Sequence, residues 1–437
     1  MQSSGGSGQD VAVPVAPSPL EGEGQLLKRS AEKQREGSRR VSIRDQTPPP
    51  IPVTLTPRQG SKSVPLPHSE RGHAARTHRS TSPTLRLLWL TMIMCVIVGS
   101  SLTPQSSADD FRPSGGSRDS RGLITPRAEQ GIANGLRWLA DEQQPDGSFG
   151  SVFAYDGNVG VAGLCGMAFL ASGSTPDRGP YGKTVSQTLD YVLSCAQPSG
   201  FLCEKGAEER YHGPMYGHGF AMLFLAEVNG MTPRDDVAET LRRAVKLTID
   251  TQNEQGGWRY NPRPEVADIS VTVSQMMALR AARNGGISVP KETIDRGVDY
   301  IRRSQNNDGG FKYQLLRSAE SKFPRSAAGL VGLYTSGVYE GDVIDRGLEY
   351  LIQFRPAGIG SRNMQHYHYG HYYAVQAAWH AGGDFWREWY PSIRDELLDQ
   401  QSGRGGWPDH WIGPEYATAM SLLILQTPNN LLPIFER

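Results

Sequence analysis

The phrase Tyr-Gly-His occurs twice in this chain, as Tyr216-Gly217-His218 and as Tyr369-Gly370-His371. A histidine titrates near neutral pH and can move a proton, while a tyrosine offers an aromatic face to positive charge. Asp268 lies between the two phrases, directly ahead of an apolar run, where a buried carboxyl group could donate a proton. We therefore predict Asp268, His218 and His371 as the acid or base groups.

Each of these three residues also has a structural interpretation. Asp268 could cap the helix that follows it by accepting hydrogen bonds from the backbone amides of Ser270 or Val271. The two histidines could stand at helix starts and bond to neighbouring carbonyl groups. The sequence leaves both interpretations open.

Further polar and aromatic side chains occupy matching places near these groups. The candidates for substrate binding are Tyr216, Arg325, Tyr369, Tyr372 and Glu415. Arg325 could pair with Asp268, and the tyrosine rings could stabilise positive charge. The histidines between 366 and 371 are interpreted as solvated groups, so neither a metal nor a cofactor is expected.

A repeat positions these residues. The phrase Gln-x-x-x-Gly-x-aromatic begins at Gln143, Gln252, Gln305 and Gln401, and a shortened copy runs from Gln197 to Phe201. Successive copies lie roughly 50 to 60 residues apart, and the last interval is about twice as long. A degenerate copy must therefore lie near residues 353–360, and six units result.

Each unit contains two helical segments. Upstream of each phrase, apolar residues recur at helical spacing, as in Ile294 to Ile301 and Ile344 to Leu351. Downstream lies a more uniformly apolar segment, found at residues 161–171, 219–228, 271–282, 326–334, 372–381 and 416–425. Each unit is thus predicted to be a hairpin of one half-exposed outer helix and one buried inner helix.

Six hairpins can stack as an open superhelix or close into a ring. An open array needs polar caps at its ends, and the terminal units here are not conspicuously polar. The predicted fold is therefore all-α, an α/α toroid with six inner helices inside six outer helices. At a helix spacing of roughly 8 to 10 Å, such a ring leaves a central pocket of ligand size.

The repeated phrase resembles the repeats that squalene-hopene and oxidosqualene cyclases share with the β subunits of protein prenyltransferases, from Pro126 to about Leu425. The resemblance implies that the Gln and aromatic side chains tie helix ends together, and that the pocket takes an isoprenoid-like ligand. Where the cyclases have Asp-x-Asp-Asp, this chain reads Glu265-Val-Ala-Asp268, with alanine at the place of the proton donor. Where the prenyltransferases have zinc ligands, it reads Asp268-Ile-Ser270 and Phe323-Pro-Arg325. Both catalytic signatures are degenerate, so the sequence does not decide whether the protein is an enzyme.

Three functional hypotheses remain. The first is an exported protein that binds, and as a terpene cyclase or prenyltransferase would cyclise or transfer, an apolar isoprenoid-like ligand. The second is a binding or scaffold toroid without catalysis, indicated by the loss of both signatures. The third is a carbohydrate-active α/α toroid enzyme, which would need a polar pocket.

The segment ahead of the repeats has a different composition. Residues 1–84 are rich in Pro, Ser and Arg, lack apolar periodicity and are predicted to be disordered. Residues 85–108 contain the apolar run 87–98 between basic and small residues, which predicts an export signal or a membrane anchor. Residues 109–124 are a linker, and residues 125–437 are the repeat domain. The expected location is periplasmic or secreted, or at a membrane that residues 87–98 contact.

Charge and cysteine content limit the partners. The chain of 437 residues has 45 basic and 45 acidic side chains, and without a basic patch no nucleic-acid partner is predicted. The partner expected is an apolar small molecule, and the oligomeric state does not follow from the sequence. In an exported protein, Cys195 and Cys203 could form a disulfide across the second hairpin turn.

Overall fold

The computed structural model describes residues 122–211, 213–316, 320–356 and 364–436. The chain divides into two units, residues 1–102 and 103–437, and every described residue belongs to the second. The segments predicted at 1–84 and 85–108, and the linker up to residue 121, lie outside the described residues. Among those that are described, no helix combines the length and the apolar character needed to cross a membrane.

The helices alternate between outer and inner positions. The outer helices are α1 (Pro126–Asp141), α3 (Gly182–Ser194), α6 (Asp235–Asp250), α8 (Lys291–Arg303), α10 (Asp342–Ile352) and α12 (Gly383–Gln400). The inner helices are α2 (Val159–Leu170), α5 (Pro214–Val228), α7 (Ile269–Asn284), α9 (Phe323–Tyr334), α11 (Tyr367–Ala381) and α13 (Pro414–Gln426). A single-turn helix, α4 (Ala207–Arg210), precedes α5, and short 3-10 segments lie at Phe153–Tyr155, Thr427–Asn429 and Pro433–Phe435.

The inner helices form a closed ring. Each packs against the next in the order α2, α5, α7, α9, α11 and α13, and α13 packs back against α2. Each later outer helix lies against the inner helix that precedes it, and α1 lies against α13. The predicted α/α toroid is therefore confirmed, and the open superhelix is excluded.

Burial follows the composition of the two kinds of helix. Every residue of α2 is buried, whereas α8 buries a single face with Thr293, Gly297, Tyr300 and Ile301. Small residues allow the inner helices to approach closely: a Cβ atom on Gly160 would lie 2.6 Å from the Cα atom of Gly217 on α5. The small residues of the inner segments thus determine how tightly the ring can close.

The repeated glutamines and glycines join neighbouring units. Nε2 of Gln252 donates to the carbonyl oxygen of Thr293, in the first turn of the next outer helix, at 2.9 Å. Gly256 has φ +93°, and a Cβ atom there would lie 2.2 Å from the carbonyl oxygen of Arg296, so only glycine fits. In the last unit Nε2 of Gln401 donates to the carbonyl oxygen of Gly131 in α1 at 2.8 Å, which ties the sixth unit to the first. These contacts show the structural role that the resemblance implied for the glutamines.

The second unit departs from the repeated phrase by one residue. The N–H of Gln197 donates to the carbonyl oxygen of Phe201, which is the hydrogen bond that Asn253 and Gly257 form in the third unit. Leu202, and not Phe201, therefore occupies the position of the aromatic residue. The assignment of Phe201 to that position is wrong, because the turn is aligned by its backbone hydrogen bond.

The C-terminal residues cross the end of the ring at which the inner helices finish. Pro433–Phe435 packs against α7 and α11, and Leu432 and Ile434 are fully buried. Arg280 of α7 donates to the carbonyl oxygen of Glu436 at 2.9 Å. The chain thus covers this end, while the loops that precede the inner helices surround the opposite end, which we call the mouth.

Candidate functional site

Tyrosine side chains gather near the mouth, at the N-terminal ends of the inner helices. Tyr216 of α5 and Tyr369 of α11 come from opposite units of the ring, and both keep accessible surface. Burial nevertheless raises the pKa of both phenol groups, and the charge of Asp268 raises it further. We call the region around these two partly exposed side chains the mouth recess and define it by Tyr216, Tyr369 and the buried Asp268, whose charge acts on both phenol groups.

Two aromatic side chains meet across the ring one turn deeper. Phe220 of α5 and Tyr372 of α11 lie edge to face, with 6.4 Å between their ring centres. Both are almost completely buried, and they fill the ring at this level. The pocket predicted along the ring axis is therefore blocked here by side chains, and the mouth recess ends at these two rings.

Asp268 caps α7 and is fully buried. Its Oδ1 atom accepts hydrogen bonds from the N–H groups of Ser270 and Val271, both at 3.0 Å, which confirms the capping interpretation. Its Oδ2 atom has no hydrogen-bond partner, and Nη1 of Arg259 lies 3.8 Å away. Burial raises the pKa of Asp268 to about 6, against the lowering effects of the amides, of Arg259 and of the nearby Tyr313 hydroxyl group. A carboxyl group of this kind is able to donate a proton near neutral pH.

Arginine and tyrosine side chains surround Asp268. The guanidinium group of Arg259 lies over the ring of Tyr260, 4.4 Å from its centre, and 5.5 Å from the ring centre of Tyr313. The hydroxyl groups of Tyr260 and Tyr313 are hydrogen-bonded to each other. Arg325 lies 6.0 Å from the ring centre of Tyr313 and donates to a backbone carbonyl group at 3.0 Å. The cation beside Asp268 is therefore Arg259, and the predicted pairing with Arg325 is wrong.

His218 lies away from the mouth recess. Its Nδ1 atom accepts from the N–H of Leu202 at 3.1 Å, and its Nε2 atom lies 3.0 Å from Oγ1 of Thr248 on the outer helix α6. Burial lowers the pKa of His218 to about 3, so the ring is neutral near neutral pH. In three other units a hydroxyl group occupies the position of His218 and accepts the matching hydrogen bond from a loop N–H. The hydroxyl group of Thr272 accepts from Trp258, that of Ser326 accepts from Phe311, and that of Thr418 accepts from Trp407. His218 therefore fastens the loop to the inner helix, which is a structural role and not the acid or base role predicted for it.

His371 is also buried, inside a cage of aromatic rings. The ring centres of Tyr367, Phe323 and Trp389 lie 4.6, 5.0 and 6.3 Å from its own. Within the described part of the chain neither ring nitrogen has a hydrogen-bond partner, and burial lowers the pKa of His371 to about 3. Trp389 belongs to the outer helix α12, so His371 faces outward from the ring. The two predicted acid or base histidines therefore do not lie on either side of one site.

Glu415 lies in the first turn of α13 and is buried, with Oε2 lacking a hydrogen-bond partner. A Cβ atom on Gly413 would lie 3.0 Å from that oxygen and 3.4 Å from a side-chain carbon of Val152, in the loop of the first unit. The next residue, Tyr416, has its pKa raised by burial and then by the charges of Asp409 and of Tyr369. The predicted substrate-binding residues thus divide: Tyr216, Tyr369 and Tyr372 come together, whereas Arg325 and Glu415 occupy the edges.

The recess combines a proton donor with neutral aromatic rings. Burial is the largest cause that raises the pKa of Tyr216, Tyr369 and Tyr372, so these phenols keep their protons. The faces of neutral phenol rings attract positive charge. In the described residues no group of three or more His, Cys, Asp or Glu side chains is placed to hold a metal ion. The arrangement can form a cation by proton transfer and then stabilise it.

Sequence reasoning missed Arg259, Tyr260 and Tyr313. A weak signal was present, since Arg259 and Tyr260 come directly after Trp258 of the third repeated phrase. Tyr313 occupies the matching position in the fourth unit, two residues after Phe311. Comparing the two residues on the C-terminal side of the phrase in each unit would have identified this layer of the site.

Comparisons with known proteins agree with this fold. Residues 221–369 match the family model of the squalene-hopene cyclase C-terminal domain. No curated protein sequence matches the chain. A solved structure of the type II terpene cyclase MstE from Scytonema, a variant in complex with geranylgeranyl dihydroxybenzoate, is similar at 15% identity over 70% of this chain and 98% of that chain, with a TM-score of 0.46.

A second similar structure is an inactive variant of the GH76A α-1,6-mannanase of a Salegentibacter species, in complex with α-1,6-mannotriose. It shares 8% identity over 69% of this chain and 99% of that chain, with a TM-score of 0.51. At this identity the likeness shows the fold and not the chemistry.

Proposed function

We propose that this protein, whose residues 221–369 match the squalene-hopene cyclase C-terminal domain, binds an isoprenoid-like ligand in the mouth recess and protonates it from Asp268. One observation carries the proposal. Asp268 is fully buried at the recess, and one of its oxygens is left without a hydrogen-bond partner. An acid that acts on an alkene must present its proton to the ligand; Oδ2 has no hydrogen bond to break, but it is buried, so the ligand must displace the side chains that cover it.

The reaction would be an isomerisation. The Asp268 carboxyl group gives its proton to one carbon of a terminal alkene, and the other alkene carbon becomes a cation. A second alkene of the same ligand attacks that cation, so that a ring closes and the charge moves along the chain. Loss of a proton from a neighbouring carbon to water ends the sequence and leaves the atom count unchanged. Tyr216, Tyr369 and Tyr372 would stabilise the cation through their ring faces.

The missing carboxyl group at Ala267 requires an explanation. In the cyclases that this chain resembles, the proton donor occupies that position of the acidic run. Here Ala267 is fully buried, and its carbonyl oxygen accepts a hydrogen bond from Tyr300 at 2.9 Å. Asp268, the next residue, has the unpartnered oxygen and the raised pKa. We therefore assign the donor role to Asp268.

The test uses the full chain and a panel of linear isoprenoids. The panel contains a C20 alcohol, its diphosphate and a C30 hydrocarbon, and products are separated by gas chromatography with mass detection. We expect a cyclic product of unchanged mass from at least one member, and its loss in Asp268→Asn. Binding of a panel member without conversion would favour the alternative of a non-catalytic binding toroid and remove Asp268 from any mechanism.

A carbohydrate-active enzyme is the second alternative, and it is supported by the structural similarity to the α-1,6-mannanase. Most glycosidases need two carboxyl groups on either side of the scissile bond. Asp268 is one such group, and Asp409, whose Oδ1 atom accepts from the N–H groups of Trp411 and Ile412 at 2.8 and 2.7 Å, would be the second. Release of reducing sugar from α-1,6-mannan by the full chain would support this alternative against the isoprenoid proposal.

The location follows as a separate proposal. The apolar run 87–98 with its basic flank supports export or anchoring of the repeat domain. Fractionation of cells that produce the full chain should recover the repeat domain outside the cytoplasm or with the membranes. Recovery in the soluble cytoplasmic fraction alone would contradict it.

A further inference from the structure

A short segment closes the end of the ring at which the inner helices finish, which we call the far end. We call this segment, residues 431–436, the strap. Its side chains Leu432 and Ile434 are fully buried, and it packs against α7 and α11. Arg280 of α7 holds it with a hydrogen bond to the carbonyl oxygen of Glu436 at 2.9 Å. A segment that is held by such local contacts can open while the rest of the ring stays folded.

An acidic side chain lies under the strap. Glu227 is in the last turn of α5, and only 5% of its surface is exposed. The backbone of Ile434 forms a hydrogen bond to its carboxyl group, and the charge of Glu436 acts on it as well. Its Oε2 atom has no hydrogen-bond partner. A carboxylate at this place would be a buried charge without a cation, whereas a neutral carboxyl group costs far less to bury.

We propose that the strap is a lid on the far end of the ring, and that the proton of Glu227 keeps this lid closed. While the proton is bound, the strap covers a neutral group and its backbone is hydrogen-bonded to that group. Without the proton, closing the strap would bury a carboxylate beside Glu436, which repels it. Opening lets water reach Glu227, so the ionised form favours the open strap.

The direction of the pKa shift agrees with this arrangement. Burial raises the pKa of Glu227 from its ordinary value of 4.5 to about 8, the hydrogen bond from Ile434 opposes the rise, and the charge of Glu436 adds to it. The closed form therefore binds the proton more tightly than a form in which water reaches Glu227. The stabilisation of the closed form is fully present below about pH 4.5 and is lost as the pH rises through 8.

Glu227 also connects the strap with the floor of the mouth recess. Tyr372 of α11 is one of the two rings at which the recess ends. Burial raises the pKa of Tyr372, and the charge of Glu227 raises it further. Ionisation of Glu227 would therefore place a negative charge on the far side of this ring. An open strap would admit water to the part of the ring interior that lies below the floor of the recess.

The charged groups of the neighbouring helices do not neutralise Glu227. On α7, Arg280 donates to carbonyl groups at the end of α9 and to the strap, and neither Arg280 nor Arg283 is among the groups that shift the pKa of Glu227. The faces that α2 and α6 bury contain no charged side chain. The thiol of Cys165 on α2 lies toward α13, where it contacts the carbonyl oxygen of Glu415. We therefore expect the response of the strap to pH to depend on Glu227.

Hydrogen–deuterium exchange of the full chain tests the lid. Exchange of the strap is measured from about pH 5 to 9 and corrected for the intrinsic pH dependence of amide exchange. In the wild type, the protection of the strap should fall at least about tenfold between pH 6 and 9, because the lost proton no longer favours closure. Peptides of α2 should keep their protection. Constant protection of the strap, or an equal loss in α2, would overturn the proposal, since the strap would then not respond or the whole fold would.

The variant Glu227→Gln supplies the main comparison. Its amide keeps an acceptor for the backbone of Ile434 but cannot ionise, so the protection of the strap should stay within about twofold over the same pH range. The matched control is Glu415→Gln, because Glu415 is also buried with an unpartnered Oε2 atom but lies at the mouth. This control should keep the wild-type response. A wild-type response in Glu227→Gln, or its loss in Glu415→Gln, would show that the Glu227 proton does not govern the strap.

Ile434→Ala tests the lid without changing the titrating group. Removal of a fully buried side chain should speed the exchange of the strap at least about tenfold at every pH. The fall in protection between pH 6 and 9 should remain, because Glu227 is unchanged. Exchange as slow as in the wild type would show that this contact does not hold the strap, and the lid would be refuted.

These measurements need no ligand, so the inference goes beyond the proposed function and is tested apart from it. If isoprenoid is converted while the strap ignores pH, the proposed function stands and the lid fails. If the strap opens with rising pH in the wild type but not in Glu227→Gln, the lid stands even where no isoprenoid is converted.

Discussion

Asn158 and Asp268 cap two inner helices in the same way, yet their remaining atoms have different surroundings. The Oδ1 atom of each accepts two backbone N–H groups at 3.0 Å. Nδ2 of Asn158 then donates to Glu204 at 3.2 Å, whereas Oδ2 of Asp268 has no hydrogen-bond partner. Asparagine and aspartate cap helices about equally well. Capping and the bond to Glu204 therefore account for both polar atoms of the Asn158 side chain, whereas capping accounts for only one oxygen of the Asp268 carboxyl group.

The largest effect is expected from Asp268→Asn. The amide oxygen keeps the cap of α7, while the group can no longer give up a carboxylic proton. If the protein protonates an isoprenoid, conversion should fall at least about hundredfold. The measurement is product formation at saturating ligand, together with the circular dichroism spectrum.

The matched control for this change is Asn158→Ala, which disturbs a cap of the same geometry in the first unit. It should reduce stability and leave conversion within about twofold at a temperature where the fold is intact. Equal losses of conversion in both variants would mean that helix capping, and not the Asp268 proton, governs activity.

The same pair also predicts a difference in pH dependence. The folded-state pKa of Asp268, raised to about 6, exceeds the ordinary value of 3.8, so the folded protein binds this proton more tightly than the unfolded chain does. The stabilisation is fully present below about pH 4 and is lost as the pH rises through 6, amounting to about 3 kcal/mol. Asp268→Asn has no such titrating proton, so between pH 4 and 7 its free energy of unfolding should rise relative to that of the wild type.

Urea denaturation of both proteins at several pH values measures this change. Taking the difference between them cancels the titration of His218 and His371, which both proteins share. Asn158→Ala should show no such divergence from the wild type. A constant difference between Asp268→Asn and the wild type across the pH range would show that Asp268 has an ordinary pKa.

A third prediction concerns Asn158→Asp, which gives the cap of α2 a carboxyl group like that of Asp268. Asn158→Asp keeps the acceptor for α2 but places a carboxylate beside Glu204, which already accepts from Arg210 and from the N–H of Val159. Like charges at this distance should cost about 1 to 2 kcal/mol at neutral pH, and acidification should recover part of it. Melting temperatures at pH 5 and pH 7 test this. Equal stability of the variant and the wild type at pH 7 would show that the site tolerates two carboxylates.

The fold was predictable because its constraints are local. Gly256 must be glycine for its φ angle of +93° and for its approach to Arg296, and Gln252 must reach the next outer helix. Such requirements recur in each unit and therefore leave a period in the sequence. The cap at Asp268 was predictable for the same reason, since it depends on the backbone of Ser270 and Val271, a few residues along the chain.

The direction of the candidate groups was not predictable from the same pattern. Successive residues of a helix point about 100° apart, so an error of one residue in the register turns a side chain from the recess to the outer layer. Tyr216 and Tyr369 face the recess, while His218, two residues later, fastens a loop. Arg259 reaches Asp268 from the loop directly after the repeated phrase, and only the folded loop brings their atoms to 3.8 Å.

The smallest predicted effect is that of Arg259 on the pH dependence of conversion, which also tests the difference between the two caps. The positive charge of Arg259 lowers the pKa of Asp268 and so opposes protonation. Arg259→Met should raise the pH at which conversion falls, by about one unit. Arg325→Met is the matched control, because Arg325 contacts the ring of Tyr313 but is not among the groups that shift the pKa of Asp268. Since Asn158 carries no charge, neither change should affect the stability of the first unit. If both arginine variants move the pH profile equally, the general positive field of the mouth acts on Asp268, and the contact at 3.8 Å has no special role.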